Sequence, residues 1–299
     1  MHVGITGASG LIGTALGEHL RSNGHQVTPI VRRSASADEI GWDPGAGRLD
    51  PADIATLDAV VHLAGAGIGD RRWTDEYKRT LMDSRVDGTT LLAGVLAELG
   101  DDGPQTLLSG SAIGFYGDRG DEIVDEKSPS GDGFLAEICR AWEAGTLPAS
   151  GAGVRVAHLR TGIVLSDQGG ALTKMLPLFK VGAGGRFGSG EQWMSWISIT
   201  DEVRAITHLL TADVEGPVNL TAPNPVTNRE FADTLGDVLH RPSFIPVPKF
   251  GPKLLLGSEL ADALLFEGQR VDAAVLGADE NFSFAHPDLA TALRAVLDR

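Results

Sequence analysis

Short apolar runs alternate with longer amphipathic stretches along the first half of the chain. The run at 57–65 is apolar almost throughout and ends in small residues, which is typical of a strand buried on both faces of a parallel sheet. The amphipathic stretches have the length of helices that connect parallel strands. The alternation therefore predicts an α/β fold with a Rossmann-type, doubly wound parallel sheet. Strands are expected at 2–6, 25–31, 57–65, 105–109 and 154–160, helices at 11–22, 74–99 and 133–147, and a loop at 41–52.

The pattern changes after Val164, where a glycine-rich stretch at 166–192 begins. Thr200 is expected to cap a helix, because two acidic residues follow it and acidic residues favour a helix N-terminus. Thr227 has Glu230 three residues later, which is the spacing of a capping box. Helices are thus predicted at 170–180, 200–210 and 227–239, with a short strand at 218–220. We predict a Rossmann domain over 1–164 with 199–215 packing back on it, and a smaller mixed C-terminal lobe on the substrate side made of 165–198 and 216–299.

Composition narrows the class of protein. The formal charge of −15 disfavours binding to nucleic acid or to an anionic membrane surface, since both attract basic proteins. Cys139 is the only cysteine, which leaves no intrachain disulfide, and the eight histidines lack metal-ligand spacing, so no metal is expected. Neither a signal peptide nor a long apolar run is evident, and a cytoplasmic location is predicted.

A glycine-rich turn joins the first strand to the first helix. Gly7 permits the tight turn, Gly10 lets the backbone approach phosphates, and Gly13 lets helix and strand pack closely. The free amides and the positive dipole end of the helix attract a pyrophosphate. This context of strand, turn and helix predicts dinucleotide binding. The cofactor-binding residues expected here are Gly7, Ser9, Gly10, Leu11, Ile12 and Gly13.

The end of the second strand indicates which dinucleotide is bound. The strand ends in Val31 and is followed by Arg32 and Arg33, with no carboxylate before Asp38. A carboxylate here would bind the ribose hydroxyl of NAD, whereas an arginine accepts the 2′-phosphate of NADP. Val31 and Arg32 are therefore predicted at an NADP(H) site. The alternative is a solvated arginine pair on a loop.

The combination of motifs resembles the extended short-chain dehydrogenase/reductase superfamily. It is more similar to an atypical subgroup, the NAD-dependent epimerase/dehydratase or nucleoside-diphosphate-sugar epimerase type, which has a short C-terminal domain of unassigned role. The similarity covers nearly the whole chain. Besides the glycine turn, it is carried by His62 to Gly65, Arg71 to Trp73, Ser84 to Val86, Ser109 to Gly117, Cys139 to Glu143, Arg160 to Leu165, Trp193 to Ile197, Gly268 to Val271, and Phe282 with Phe284.

The resemblance implies further cofactor contacts. Leu63 and Ala64, with Gly65, would pack on the adenosine half, and Arg85 would contact the cofactor where most extended relatives have asparagine. The turn from Thr161 to Val164 would lie near the nicotinamide carboxamide, and Ser109 is a further candidate. NADP is also the cofactor that the subgroup tends to bind.

Catalysis is where the chain departs from the superfamily. The usual tyrosine and lysine are four residues apart, but no Tyr-x-x-x-Lys occurs here, and the resemblance places Leu135 and Cys139 at those two positions. The usual proton transfer is therefore ruled out. Ser111, which could polarise a substrate oxygen, and Tyr116, as a displaced acid or base, are the catalytic candidates. The alternatives are backbone capping or phosphate contact for the serines and a covering loop aromatic for Tyr116.

Two other clusters have a functional and a structural interpretation. Arg71 to Trp73 could hold a phosphate or be a solvated helix start. Trp193 and Trp196 could stack on a ring or belong to the core. Glu143 is expected to face solvent or to pair locally, and Cys139 to be a small buried hydrophobe.

The sequence therefore predicts an NADP(H)-binding, epimerase- or reductase-like oxidoreductase that acts on a small polar or nucleotide-linked substrate. A non-catalytic NADP(H)-binding redox sensor or regulatory protein is the alternative, favoured by the missing Tyr/Lys pair. A non-redox nucleotide-sugar-binding role is a third. Substrate identity and oligomeric state stay open.

Overall fold

The main sheet has eight strands in the order β12-β8-β6-β5-β1-β2-β3-β4 in the computed structural model, which describes residues 1–298. All its pairs are parallel except β3 with β4. The strands are β1 His2–Thr6, β2 Gln26–Val31, β3 Ile40–Asp43, β4 Arg48–Leu49, β5 Ala59–His62, β6 Thr106–Ala112, β7 Ile123–Val124, β8 Arg155–Thr161, β9 Ile163–Leu165, β10 Trp193–Met194, β11 Trp196–Ser198, β12 Gly216–Leu220, β13 Val226–Thr227 and β14 Arg270–Val271. The helices are α1 Leu11–Ser22, α2 Pro51–Ile54, α3 Asp75–Leu99, α4 Phe134–Ala144, α5 Leu147–Gly151, α6 Gly170–Lys180, α7 Ile199–Leu209, α8 Asn228–Leu239, α9 Phe250–Leu256, α10 Ser258–Ala261, α11 Ala274–Ala278 and α12 Leu289–Val296.

Helices cover both faces of this sheet, as predicted. Leu16 of α1 and Ile206 of α7 belong to the apolar cluster on one face, and Leu92 of α3 belongs to the cluster on the other. The sheet residues of β5 are buried throughout, which explains its continuous apolar run. Since the strands are parallel, the carboxyl ends of β1, β5, β6 and β8 meet at one edge, where ligands bind in folds of this kind.

Several predicted boundaries need correction. The expected loop at 41–52 contains β3, β4 and α2, because Trp42 and Leu49 are buried and pair across an antiparallel bridge. The strand expected at 57–65 ends at His62, so the small residues that follow form a turn. The helix expected to be capped by Thr200 is capped by Ser198, whose hydroxyl accepts from the Asp201 amide at 3.1 Å.

The C-terminal lobe has its own core. Buried residues of α6, α8 and α12 form one apolar cluster there, and Thr227 and Glu230 make the capping box expected at α8. The predicted lobe boundary at 216 is wrong, however, because β12 pairs with β8 at the edge of the main sheet. Over the described part of the chain, no helix is long and apolar enough to cross a membrane.

Candidate functional site

The glycine turn between β1 and α1 has the geometry expected of a pyrophosphate site. Gly7 has φ +68°, and the Gly10 amide donates to the Gly7 carbonyl at 2.9 Å. A Cβ on Gly13 would lie 2.3 Å from the Gly7 oxygen, so no side chain fits there. No side chain caps the start of α1, which leaves its first amides for a ligand. Ser9 is exposed and Leu11 and Ile12 are half-buried around the turn.

The two arginines after β2 differ in their environment. The Arg33 guanidinium binds both carboxylate oxygens of Glu39 and holds the pKa of Glu39 at about 2. Arg32 has no such partner within residues 1–298. Arg32 lines an open hollow of about 340 Å³ beside β3 and β4. The hollow lies at the carboxyl edge of the sheet, next to Val31, the last residue of β2. Arg32 is thus the arginine that is free to bind an incoming anion.

The turn after β5 lies against the glycine turn. The amides of Leu63 and Ala64 both donate to the Thr6 hydroxyl, at 3.0 and 3.2 Å, and a Cβ on Gly7 would touch Leu63 at 2.9 Å. Gly65 approaches Arg85 so closely that a Cβ there would lie 3.2 Å from Cζ of the guanidinium. Leu63, Ala64, Gly65 and Arg85 are therefore brought together with the glycine turn at one edge of the sheet.

Arg85 is a buried cation without an acidic partner. Its Nη1 donates to the Leu81 carbonyl at 3.0 Å, and its Cζ lies 4.9 Å from the Trp142 ring centroid. None of the described carboxylates is within 4 Å of it. Burial lowers the pKa of Arg85. A buried charge is normally paired, so this guanidinium is suited to an anionic ligand.

A polar network runs from β6 to β12 beneath the same edge. Ser111 Oγ donates to Glu143 Oε1 at 2.7 Å, and Arg160 donates to both oxygens of Glu143 at 2.8 and 2.9 Å. Arg160 Nη1 also donates to the Tyr116 hydroxyl at 3.0 Å, which in turn donates to Asn219 Oδ1 at 2.7 Å. The network links β6, α4, β8, β12 and the turn that ends at Tyr116 through one buried ion pair.

This network corrects two expectations from the sequence. Tyr116 does not cover the sheet edge as a loop aromatic: it is fully buried, its hydroxyl is engaged on both sides, and burial raises its pKa. The proton of this phenol is donated to Asn219 and the hydroxyl is shielded from any ligand, so its geometry does not fit a displaced acid or base. Glu143 neither faces solvent nor pairs locally, because its partner Arg160 lies on a different element.

Leu135 and Cys139, which stand on α4 where the superfamily has its tyrosine and lysine, are not suited to proton transfer. Leu135 lies against Gly114, and Cys139 is buried with Sγ 3.6 Å from the Ala112 carbonyl. Burial raises the pKa of Cys139 to about 11, so the thiol is neutral near pH 7. Cys139 is thus a small buried hydrophobe, as expected.

Ser109 lies two residues before Ser111 on β6. It is fully buried, and its hydroxyl has no partner within residues 1–298.

The stretch from Thr161 to Val164, expected to be a turn, spans the end of β8 and part of β9. Thr161 contacts Glu202 of α7, a buried acid that the sequence did not single out. Thr161 donates to Glu202 Oε1 at 2.9 Å, and Glu202 Oε2 has no partner in the described structure. Burial raises the pKa of Glu202 to about 8. Val164 itself is half-buried in β9, which pairs with β11. In the sequence, Asp201 and Glu202 directly follow Thr200. Two acidic residues at such a place indicated only the first turn of a helix.

The remaining aromatic and basic clusters join the lobe to the sheet domain. Arg72 caps the end of α9 by donating to the carbonyls of Leu254 and Leu255, so its side chain is exposed but engaged with the lobe. Trp193 donates to Asp121 at 2.8 Å and lies under Arg270, whose Cζ is 4.2 Å from its ring centroid. Trp196, by contrast, is fully buried in the lobe core.

Sites that sequence reasoning missed are those whose partners are distant in the chain. No local pattern signals the pairing of Arg160 or Asn219, since each meets its partners only through the packing of elements that are distant in the chain. Glu143 follows Leu135 and Cys139 at four-residue spacing, which could have placed it on the same side of α4. No group of three or more potential metal ligands occurs among residues 1–298.

Comparison with known proteins gives two family-model matches. Residues 3–221 match the NAD dependent epimerase/dehydratase family, and residues 247–296 match a domain of unknown function, DUF1731. Both agree with the resemblance inferred from the motifs, including the C-terminal domain of unassigned role.

Individual relatives match nearly the whole length of this chain. Epimerase family protein ML0860 of Mycobacterium leprae is 45% identical over 97% of this chain and 94% of its own length. The crystal structure of human epimerase family protein SDR39U1 (isoform 2) with NADPH is 34% identical, with a TM-score of 0.91 over 100% of this chain and 99% of that one. A nucleoside-diphosphate sugar epimerase structure from Corynebacterium glutamicum is 39% identical, with a TM-score of 0.80 over 99% of this chain and 58% of that one.

Proposed function

Because the chain belongs to the NAD-dependent epimerase/dehydratase family, we propose that it binds NADP(H) and acts as an epimerase- or reductase-like oxidoreductase. The substrate class we propose is a small polar or nucleotide-linked molecule. The observation that carries the proposal is the glycine turn of β1 and α1, with the unpaired Arg32 beside it at the end of β2. Its human relative SDR39U1, crystallised with NADPH, supports the same cofactor.

The residues at the sheet edge fit each charged part of NADP(H). The free amides at the start of α1 suit the pyrophosphate, and the unpaired Arg32 in its hollow suits the 2′-phosphate. The buried Arg85 beside Gly65 supplies a further positive charge. When bound, the nicotinamide would donate or accept a hydride. The protein's part is to hold and orient it.

For proton transfer we propose Ser111 and Glu143 rather than Tyr116. Ser111 Oγ already donates to Glu143, so its lone pairs are free to accept a proton from a substrate hydroxyl. The serine proton would pass to Glu143 as the substrate proton arrives, and the reverse transfer would protonate a substrate oxygen. Arg160 positions the Glu143 carboxylate for this exchange through two hydrogen bonds.

Titration calorimetry with NADPH and NADH tests the cofactor assignment. We expect NADPH to bind more tightly than NADH, and Arg32→Ala to weaken NADPH at least about tenfold while leaving NADH unchanged. Arg33→Ala is the matched control, because that arginine is already bound by Glu39 and should change affinity little. Equal loss of both nucleotides in Arg32→Ala, or no binding by the unaltered protein, would contradict the assignment.

The second candidate function is a non-catalytic NADP(H)-binding sensor. The observation that favours it is the buried and fully engaged Tyr116, together with the absence of any Tyr-x-x-x-Lys in the sequence. NADPH consumption with a panel of carbonyl compounds and nucleoside-diphosphate sugars separates the two functions. Turnover that is lost in Ser111→Ala supports the enzyme, whereas tight NADPH binding without turnover across the panel supports the sensor.

A further inference from the structure

Basic and exposed apolar residues concentrate in two segments of the lobe, 168–190 and 240–257. Together the segments contain six Lys and Arg residues and no Asp or Glu, in a chain with 25 basic and 40 acidic residues. Seven of the eleven large apolar side chains exposed among residues 1–298 also lie in them. The acidity of the chain is therefore unevenly distributed along the sequence, and these two segments are themselves net positive, although Lys253 is paired with Asp262 outside them.

The two segments pack against each other and form one surface. Arg241 Nε donates to the Lys180 carbonyl at 3.0 Å, a Cβ on Gly182 would lie 3.1 Å from Pro242, and a β-bridge pairs Gly185 with Phe244. The side chains that we name the basic apolar surface are Leu178, Lys180, Val181, His240, Arg241 and Phe244.

This surface combines a cationic hollow with protruding apolar side chains. The hollow has a volume of about 460 Å³ and is lined by Lys180, Leu239, His240 and Arg241. Val181 and Phe244 are 76% and 73% exposed. Phosphate groups bind Lys and Arg, and exposed aliphatic and aromatic side chains gain by leaving water. A ligand that is anionic at its surface and apolar beneath it matches both features.

We propose that the basic apolar surface docks this protein on an anionic phospholipid bilayer. Headgroup phosphates contact Lys180 and Arg241, while Val181 and Phe244 enter the boundary with the acyl chains. The net charge of the chain disfavours a bilayer at a distance, but charges more than about 8 Å away are largely screened at physiological ionic strength. The local positive charge of the docking face therefore determines whether the protein binds the bilayer. This proposal departs from the expectation, drawn from the net charge of the whole chain, that the protein does not bind an anionic membrane.

The same features disfavour other occupants. In a two-fold dimer built on this surface, Lys180 and Arg241 of both copies would face each other, and like charges repel. A peptide helix would need a groove lined by apolar side chains, whereas Val181 and Phe244 protrude. A fluid layer accommodates protruding side chains without a matching pocket.

Sedimentation of the full-length protein with vesicles tests the proposal. We expect binding to vesicles of phosphatidylcholine with phosphatidylglycerol, weakened by salt, and none to phosphatidylcholine alone. Lys180→Glu should weaken binding about 30-fold, because it changes the charge by two and each charge contributes about 5-fold. Val181→Ser with Phe244→Ser should also weaken it. Leu147→Ser is the matched control, since Leu147 is 66% exposed but lies outside the surface.

Three results would overturn the proposal. One is no binding to anionic vesicles, and another is binding that Lys180→Glu and the double serine variant leave unchanged. The third is a change of oligomeric state in the double serine variant without vesicles, which would make the surface a self-interface. Binding to polyglutamate but not to vesicles would instead indicate an acidic protein as the partner. Unchanged thermal unfolding of each variant establishes that the fold is intact.

Discussion

Arg160 on β8 holds Glu143 on α4 through two hydrogen bonds, from Nε and Nη2 to the two carboxylate oxygens at 2.8 and 2.9 Å. Both side chains are largely withdrawn from water, being 4% and 12% exposed. Ser111 and Tyr116 each bond to one member of the pair. The pair therefore fixes the orientation of Ser111 and Tyr116 at the carboxyl end of β6.

Removing one member of this pair should be costly for the fold. Arg160→Met leaves Glu143 buried without its counter-charge, and we expect a loss of about 3 kcal/mol in the free energy of unfolding. Urea denaturation measures it. Arg48→Met is the control, because Arg48 pairs with Asp43 at the surface and its loss should cost less than about 1 kcal/mol. A similar loss of unfolding free energy in both variants would mean that the buried Arg160–Glu143 pair stabilises the fold no more than the surface pair of Arg48 and Asp43 does.

Tyr116→Phe separates a structural tyrosine from a catalytic one. The variant leaves Asn219 Oδ1 and Arg160 Nη1 without the hydroxyl, and we expect a loss of about 1–2 kcal/mol in the free energy of unfolding. NADPH affinity and any turnover should stay within about twofold of the unaltered protein. A loss of turnover of 100-fold or more without loss of fold would restore Tyr116 as the acid or base.

Gly13→Ala tests the close approach of helix and strand. The added Cβ would lie 2.3 Å from the Gly7 carbonyl oxygen, so the turn must shift. We expect NADPH affinity to fall at least about tenfold and the free energy of unfolding to fall by about 1–3 kcal/mol. Calorimetry and urea denaturation measure the two effects.

Gly94→Ala is the matched control for that variant. Gly94 lies exposed in α3, and a Cβ there would meet no atom within 4 Å. The substitution should leave NADPH binding unchanged and stabilise the fold by about 0.5–1 kcal/mol through helix propensity. Equal effects of the two alanines on NADPH binding would rule out the glycine turn as the cofactor site.

Sequence patterns predicted the parts of this protein that depend on near neighbours. β1, the glycine turn and α1 follow one another in the chain, so the steric need for Gly7 and Gly13 is readable from spacing alone. Trp42 and Leu49 were missed as strand residues because their pairing lies in a stretch rich in Gly, Asp and Pro. The burial of Tyr116 and the pairing of Arg160 depend on which strands become neighbours, and no local pattern reports that.

Arg85→Met should separate stability from ligand binding. Methionine fills a similar volume without a charge, so the free energy of unfolding without ligand should stay the same or rise by about 1 kcal/mol. NADPH affinity should fall at least about tenfold, because the buried guanidinium has no carboxylate partner among residues 1–298 and its charge would be lost to the anionic ligand. Arg79→Met on the exposed side of the same helix is the control, and it should change neither quantity. A strongly destabilised Arg85→Met with unchanged NADPH affinity would make Arg85 a structural residue.

Glu202 should make the stability of the protein depend on pH. Burial raises its pKa to about 8 in the folded state, from 4.5 in the unfolded chain. Between these values the folded state binds the proton that the unfolded state releases, so the contribution of Glu202 to stability is fully present below pH 4.5 and is lost as the pH rises towards 8. The loss across this window is at most about 5 kcal/mol, which is the shift expressed as free energy.

Glu202→Gln should remove that dependence. Glutamine keeps an acceptor for the Thr161 hydroxyl and cannot ionise, so the fall in stability between pH 5 and 8 should flatten in the variant. Urea denaturation at a series of pH values measures both curves, and the difference between them isolates Glu202 from the other titrating groups. Parallel curves would mean that Glu202 is ionised in the folded protein at neutral pH. In that case its unpartnered oxygen Oε2 would have to be stabilised by a cation or by water.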